Sequence, residues 1–107
     1  MKIVRTPSFN RAIKKLGASE ADLKALEAEI AAHPEAGDVI KGLSGARKLR
    51  FSMGGKGKRG GGRAIYIVVW VHDTALLITA YSKSVQENIS AAQRDAIAAL
   101  IEELNHG

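Results

Sequence analysis

Residues 47–63, with the sequence RKLRFSMGGKGKRGGGR, carry the clearest structural signal in the chain. This segment contains seven of the sixteen Lys and Arg residues and six of the eleven glycines, but no Asp or Glu. Its first five residues alternate between two faces, with apolar Leu49 and Phe51 on one face and basic Lys48 and Arg50 on the other. Alternation of this kind is typical of a β-strand. The segment therefore predicts a strand that leads into a glycine-rich, basic loop.

The residues on either side of this segment predict a small mixed domain. Residues 2–6 form a short first strand that stops at Pro7. Ser8 is expected to cap a helix that ends at Gly17, and a capping-box pattern at Ser19 and Asp22 opens a second helix. After the glycine-rich loop, residues 63–71 and 75–81 read as two strands joined by a turn.

A last helix completes the predicted order β-α-α-β-β-β-α. It opens with a second capping-box pattern at Ser90 and Gln93. Its expected buried stripe is Ile97, Leu100, Ile101 and Leu104. We expect one α+β domain over residues 1–107, with an antiparallel sheet of about four strands, an N-terminal helical hairpin and a C-terminal helix. All helices are expected against one face, so that Lys48 and Arg50 lie on the open face, while Trp70 lies in the core.

Composition narrows the class of protein further. The net charge is +5, yet residues 41–63 hold eight bases and no acid, whereas the rest of the chain has eight bases and eleven acids. This polarity predicts one face that binds a polyanion; a basic loop kept for solubility is the alternative. The chain has no Cys, its three His residues are scattered, and no apolar run could span a bilayer. We therefore expect a cytoplasmic protein with no metal, no cofactor and no membrane contact.

The glycine-rich loop also contains a nucleotide-binding pattern that does not fit its surroundings. Residues 55–60 match G-x-G-x-x-G, but a strand follows them, whereas the dinucleotide fingerprint requires a helix there. Glycines that allow a backbone to approach phosphates, together with mobile cations, remain as the explanation. The candidate RNA-binding residues are Arg47, Lys56, Lys58 and Arg59.

Several motifs occur in a fixed order across residues 37–94. They are GDVI at 37–40, GARKLR at 45–50, GKGKRGG at 55–61, RAIY at 63–66, Tyr81-x-Lys83 and Gln93-Arg94. This ordered set resembles the RelE/HigB superfamily of bacterial toxins from type II toxin–antitoxin modules, and especially its HigB-like branch. The resemblance implies a toxin with a microbial-RNase-type fold. Such a toxin is expected to enter the ribosomal A site and to cut mRNA without a metal. It also implies a cognate antitoxin of the HigA or RelB type.

Carried over by position, the resemblance assigns a set of catalytic candidates. The candidate catalytic residues are Lys48, Arg50, Arg63, Tyr81 and Lys83. Lys48 or Tyr81 would serve as general base and Lys83 as general acid, while the two arginines, which stay protonated, would clamp the phosphate. Some relatives place a Tyr where this chain has Ile89, and Tyr81 is the candidate to replace it. Two other readings stay open: a toxin of the ParE branch that poisons DNA gyrase, and a non-catalytic RNA-binding module.

Overall fold

The computed structural model describes residues 1–54, 61–86 and 88–106. In these ranges, three helices pack on a five-stranded sheet whose order is β1-β5-β4-β3-β2. The elements are β1 (Lys2–Arg5), α1 (Pro7–Leu16), α2 (Glu20–Ala32), β2 (Asp38–Val39), β3 (Arg47–Phe51), β4 (Gly62–Val69), a 3-10 turn (Trp70–His72), β5 (Thr74–Ser82) and α3 (Ala91–His106). The predicted α+β class, with its helical hairpin and C-terminal helix, is confirmed. No helix in the described ranges is long and apolar enough to cross a membrane.

The sheet differs from the prediction in strand number and in one strand direction. β2 has only two residues and pairs antiparallel with β3, which is too short a stretch to show any period-two pattern. β1 runs parallel to β5, with Ile3 opposite Ala75, so the sheet is mixed. The direction of an edge strand depends on a partner at the far end of the chain, and local alternation carries no information about it.

Helix ends follow the expected capping chemistry with one correction. Ser19 and Asp22 form the predicted capping box, and Gly17 ends α1 with a left-handed φ of 75°. The N-cap of α1 is Thr6, whose hydroxyl accepts a hydrogen bond from the backbone N–H of Phe9, so the expected cap at Ser8 is wrong. Pro7 explains the shift, because proline is favoured in the first turn, where its missing N–H has no intrahelical partner.

Both faces of the sheet are covered, which corrects the expectation of one open face. On the first face, α1 and α2 pack against β3, β4 and β5. The buried residues there include Phe9, Ile13, Leu23, Leu26, Ile30, Leu49, Phe51, Ala64, Tyr66 and Leu77. On the second face, Ile97 and Ile101 of α3 pack against Ile65 and Ile78. The predicted stripe of α3 ends at Ile101, because Leu104 is exposed.

A bulge in β5 determines which side chains reach the second face. Ile65 pairs with Thr79, but the next residue, Tyr66, pairs with Leu77, so one residue of β5 has no partner in β4. Period-two alternation would otherwise put Leu77 and Tyr81 on the same face. With the extra residue, Leu77 joins the core of the first face and Tyr81 joins the core of the second face.

Trp70 does not lie in the core. β4 ends at Val69, and the 3-10 turn carries the Trp70 side chain away from the sheet, where 59% of it is exposed. The continuous apolar run that predicted a longer strand therefore extends beyond the strand. Asp73, at φ 49°, completes the turn into β5.

Candidate functional site

A small cavity of about 170 Å³ opens on the second face, beside the part of the sheet that α3 covers. Its lining combines four cations with one carboxylate: Lys48, Arg50, Arg63, Lys83 and Asp38. These side chains come from β2, β3, β4 and the turn after β5, so five residues spread over 46 positions of sequence meet in one place. Four of the five predicted catalytic residues are brought together here.

The strand register explains why these side chains converge. Residues directly opposite each other in an antiparallel pair project from the same face. Arg50 lies opposite Arg63, and Lys48 lies between Asp38 of β2 and Ile65 of β4. Lys83 follows the last pair of the β4–β5 ladder, where its N–H donates to the Gly61 carbonyl at 3.4 Å.

The four cations differ in how firmly they are held. Arg63 is only 5% exposed, and one guanidinium N–H donates to the Gly62 carbonyl at 3.1 Å. Lys48 is half-buried, whereas Arg50 and Lys83 are exposed at the mouth of the cavity. Four positive side chains beside one negative one give the cavity lining a net positive charge, which favours an anion over a cation. Guanidinium groups in particular donate two parallel hydrogen bonds to phosphate oxygens.

Tyr81 does not line this cavity. Its side chain is 3% exposed and packs with Ile97 in the core beneath α3. Within the described ranges its hydroxyl has no hydrogen-bond partner. Burial raises the pKa of the Tyr81 phenol and the charge of Arg63 partly opposes that rise. A phenol whose pKa is raised keeps its proton at neutral pH, so little phenolate is available to accept one. The catalytic role of Tyr81 therefore stays a prediction, and of the two candidate bases Lys48 is the one on the cavity.

Arg47 lies on the opposite face from Lys48. Its guanidinium donates to the backbone carbonyls of Glu35 and Gly37, at 3.3 Å and 2.8 Å, and so fastens the segment before β2. These contacts give Arg47 a structural role, and its predicted contact with RNA stays a prediction. The other three predicted RNA-binding residues, Lys56, Lys58 and Arg59, lie outside the described residues.

Two residues of the site, Asp38 and Tyr66, were not predicted from the sequence. Asp38 occurs in the GDVI motif, but without the two-residue strand β2 nothing connected it with Lys48. Tyr66 fixes the backbone next to Asp38, because its hydroxyl accepts from the Gly37 N–H at 3.0 Å and donates to the Pro34 carbonyl at 2.8 Å. The RAIY motif contains this tyrosine, although its role depends on a contact across 29 residues.

Comparison with known proteins shows the family. A sequence model of the RelE toxin of RelE/RelB toxin–antitoxin systems matches residues 1–106. The chain belongs to the RelE toxin family. The isolated RelE toxin of Escherichia coli superposes with a TM-score of 0.54 and 17% identity, over 92% of this chain and 97% of that one.

Two solved toxin–antitoxin complexes also share the fold of this RelE-family chain. The intact RelBE complex of E. coli matches with a TM-score of 0.54 and 20% identity, over 74% of this chain and 92% of that one. A RelBE complex of Mycobacterium tuberculosis matches with a TM-score of 0.50 and 18% identity, over 76% and 95% of the two chains. At these identities the matches show the fold, and the narrower HigB-like assignment stays a prediction.

The last motif of the RelE-family resemblance holds α3 in place beside the cavity. Gln93 closes the capping box with Ser90, and its side-chain oxygen also accepts from the side chain of Gln86 at 2.7 Å. The Arg94 guanidinium donates to the Lys41 carbonyl in the turn before β3. Both motif residues therefore have structural contacts in this fold.

Proposed function

We propose that the protein is the toxin of a type II toxin–antitoxin module and that it cuts mRNA in the ribosomal A site. One observation supports this proposal most: four cationic side chains line one small cavity, and three of them project from paired strands. Rigid strands hold side chains more accurately than loops do, which suits groups that must be aligned with a reacting phosphate. Membership of the RelE toxin family supports the same reaction class.

In the proposed reaction, a ribose 2′-hydroxyl attacks the adjacent phosphorus and the bond to the 5′-oxygen breaks. Arg50 and Arg63 hold the phosphate, because a guanidinium stays protonated and can stabilise the charge that grows on its oxygens. Lys83, exposed at the mouth of the cavity, gives a proton to the leaving 5′-oxygen. The RNA supplies the attacking group and side chains supply the charge, so the proposed endoribonuclease activity is metal-independent.

We further propose that a cognate antitoxin of the HigA or RelB type neutralises the protein in the cytoplasm. Two relatives of the same fold were solved as RelBE toxin–antitoxin complexes, and we extend that partnership to this chain. A basic surface of this kind attracts RNA of any sequence, so a protein partner must cover it when the toxin is to be inactive. From the motif set in the sequence, we also propose that the chain belongs to the HigB-like branch.

Induced expression without the neighbouring gene tests the proposal. We expect growth arrest and new 5′ ends within translated mRNAs, mapped by sequencing, and the same cuts on purified ribosomes programmed with mRNA. Lys48→Ala and Arg63→Lys should lower the single-turnover cleavage rate by about 100-fold, because removal of one charge-stabilising donor typically costs that much. Lys24→Ala, an exposed lysine on α2, is the matched control and should cut normally.

Three results would redirect the proposal. Lys48→Ala and Arg63→Lys variants that cut like the parent would show that the site lies elsewhere. Intact mRNA together with accumulated gyrase-cut DNA would favour the ParE-like alternative. Healthy growth under strong induction would favour a non-catalytic RNA-binding protein.

The glycine-rich loop is proposed to hold RNA, while the strands carry the chemistry. Replacement of Lys56, Lys58 and Arg59 by Gln should weaken binding and flatten its salt dependence by about 0.7 log unit per lost phosphate contact. Cleavage at saturating toxin should persist. Substitution of the strand residues should instead abolish cleavage while most of the binding remains. Equal salt slopes for the parent and the loop variant would contradict this division of roles.

A further inference from the structure

We infer that Asp38 is the general base of the cleavage reaction: its carboxylate accepts the proton of the attacking 2′-hydroxyl. This inference rests on the proposed ribonuclease function and deepens it. The basic segment itself contains no His or carboxylate, so Lys48 and Tyr81 were the candidate bases from sequence. The fold brings a carboxylate to the site from outside that segment.

Among the residues that the structure describes, Asp38 is the only acidic one that lines the cationic cavity. It lies directly opposite Lys48 across the β2–β3 pair, on the face that also carries Arg50. A neighbouring cavity of about 190 Å³ shares Asp38, Lys48 and Arg50, so this wall of the site is accessible from two sides. A phosphate that binds to the cations is therefore brought close to a carboxylate.

The Asp38 carboxylate is available to accept a proton. It is exposed, and it makes no hydrogen bond or ion pair with the residues that the structure describes. A carboxylate is ionised at neutral pH and can accept a proton at once, whereas a lysine must first lose one. Arg5, by contrast, engages both Glu20 and Glu27 through paired hydrogen bonds, which leaves those carboxylates committed to structure.

The backbone that carries Asp38 is held from several directions, although β2 has only two residues. The Gly37 N–H donates to the Tyr66 hydroxyl at 3.0 Å, and the Gly37 carbonyl accepts from Arg47 at 2.8 Å. A Cβ at Gly37 would approach the Lys48 carbonyl and the Tyr66 ring to 3.0 Å, so the glycine allows this close packing. Tyr66 and Arg47 are thus positioning residues for Asp38. A proton acceptor needs such fixed placement, whereas a solvated surface carboxylate does not.

The proposed step balances in atoms and protons. The 2′-oxygen forms a bond to phosphorus while its proton passes to the Asp38 carboxylate. The bond between phosphorus and the 5′-oxygen breaks, and that oxygen takes a proton from Lys83. The products are a 2′,3′-cyclic phosphate and a 5′-hydroxyl, with no oxidant, reductant or added water.

A modified substrate separates this role from the others that Asp38 could have. Replacement of the bridging 5′-oxygen by sulfur gives a leaving group that departs as a thiolate and needs no proton. Asp38→Asn should lower the single-turnover cleavage rate by about 100-fold or more on both the natural and the sulfur-bridged mRNA, because the general base is still missing. Lys83→Ala should lose activity on the natural substrate and recover it on the sulfur-bridged one. Affinity for the programmed ribosome should be unchanged in Asp38→Asn.

Asp95→Asn, an exposed aspartate on α3, serves as the matched control and should cut like the parent. Asp38→Glu, which keeps the carboxylate on a longer side chain, should recover part of the lost rate. Three outcomes would overturn the inference: undiminished cleavage by Asp38→Asn, rescue of that variant by the sulfur-bridged substrate, or a loss explained wholly by weaker binding. A parent protein that cuts no mRNA would instead refute the proposed function, so the two failures are distinguishable.

Discussion

Two buried tyrosines offer a matched pair of substitutions with opposite expected effects on stability. Tyr66 is fully buried, and its hydroxyl bridges the Gly37 N–H at 3.0 Å and the Pro34 carbonyl at 2.8 Å. Tyr81 is also buried, but its hydroxyl has no hydrogen-bond partner in the described ranges. The same change, Tyr to Phe, therefore removes two hydrogen bonds at one site and none at the other.

The expected magnitudes follow from these contacts. Each hydrogen bond contributes roughly 1 kcal/mol net, so Tyr66→Phe should lower the free energy of unfolding by about 2 kcal/mol. At roughly 4–8 °C per kcal/mol for a domain near this size, the melting temperature should fall by about 10 °C. Tyr81→Phe removes a buried polar atom without a partner, so its stability should equal or exceed that of the parent by up to about 1 kcal/mol.

Chemical denaturation followed by circular dichroism measures both effects. The slope of the unfolding free energy against denaturant should be unchanged, which shows that the same cooperative unit unfolds in each variant. A Tyr66→Phe protein as stable as the parent would refute the role of the hydroxyl as a bridge between β4 and the segment before β2. A Tyr81→Phe protein destabilised as much as Tyr66→Phe would show that Tyr81 has a partner after all.

Three further predictions concern pH, packing and ion pairing. Burial raises the pKa of Tyr81, so this phenol ionises in the unfolded chain before it ionises in the folded one, and the free energy of unfolding should fall as pH rises above about 10. Thermal melts of the parent and of Tyr81→Phe between pH 8 and 11 check this. An identical decline in both proteins would contradict it. Gly62→Ala puts a Cβ within 2.4 Å of the Phe51 ring, so it should destabilise the fold by about 1–3 kcal/mol. The double variant with Phe51→Leu should recover part of this loss of stability. Simple additivity of the two changes would argue against the clash. Arg5→Met removes the hydrogen-bonded ion pairs with both Glu20 and Glu27. Its loss should cost about 1 kcal/mol at low salt and less at about 1 M salt. A loss independent of salt would show that packing of the arginine stem matters more than its charge.

Local chemistry in the sequence was enough to identify most helices and strands. The capping boxes at Ser19 and Ser90 and the left-handed Gly17 each mark a helix end, because the residue itself supplies the missing hydrogen bond or the required φ. Alternation in residues 47–51 placed Lys48 and Arg50 on one face, and the register with β4 agrees. These features depend on neighbours within a few residues, so they can be read without the fold.

Features that depend on distant partners could not be read in this way. The two-residue strand β2 forms because β3 provides its backbone with hydrogen-bond partners. β1 is a parallel strand because of the way it pairs with β5, which lies far away in the sequence. The bulge opposite Ile65 reversed the face of the end of β5, and so buried Tyr81 beneath α3. The prediction that Trp70 lies in the core is wrong for a related reason, since β4 ends at Val69, two residues before the end of its apolar sequence.

The missing strand mattered more for function than for fold. The sheet predicted from the sequence lacks β2, so its site contains cations but no carboxylate. In such a site, only a lysine or a tyrosine is left as a candidate base. With β2 present, Asp38 lies opposite Lys48 on the cavity wall, and the site includes a carboxylate as a candidate base. Arg47 changes role for the same reason: its guanidinium fastens the Gly37 carbonyl on one face, while the next residue, Lys48, reaches the cavity on the other. In the mechanism we propose, residues 47–63 supply most of the positive charge, and Asp38, which no motif of charge or alternation marked, accepts the proton.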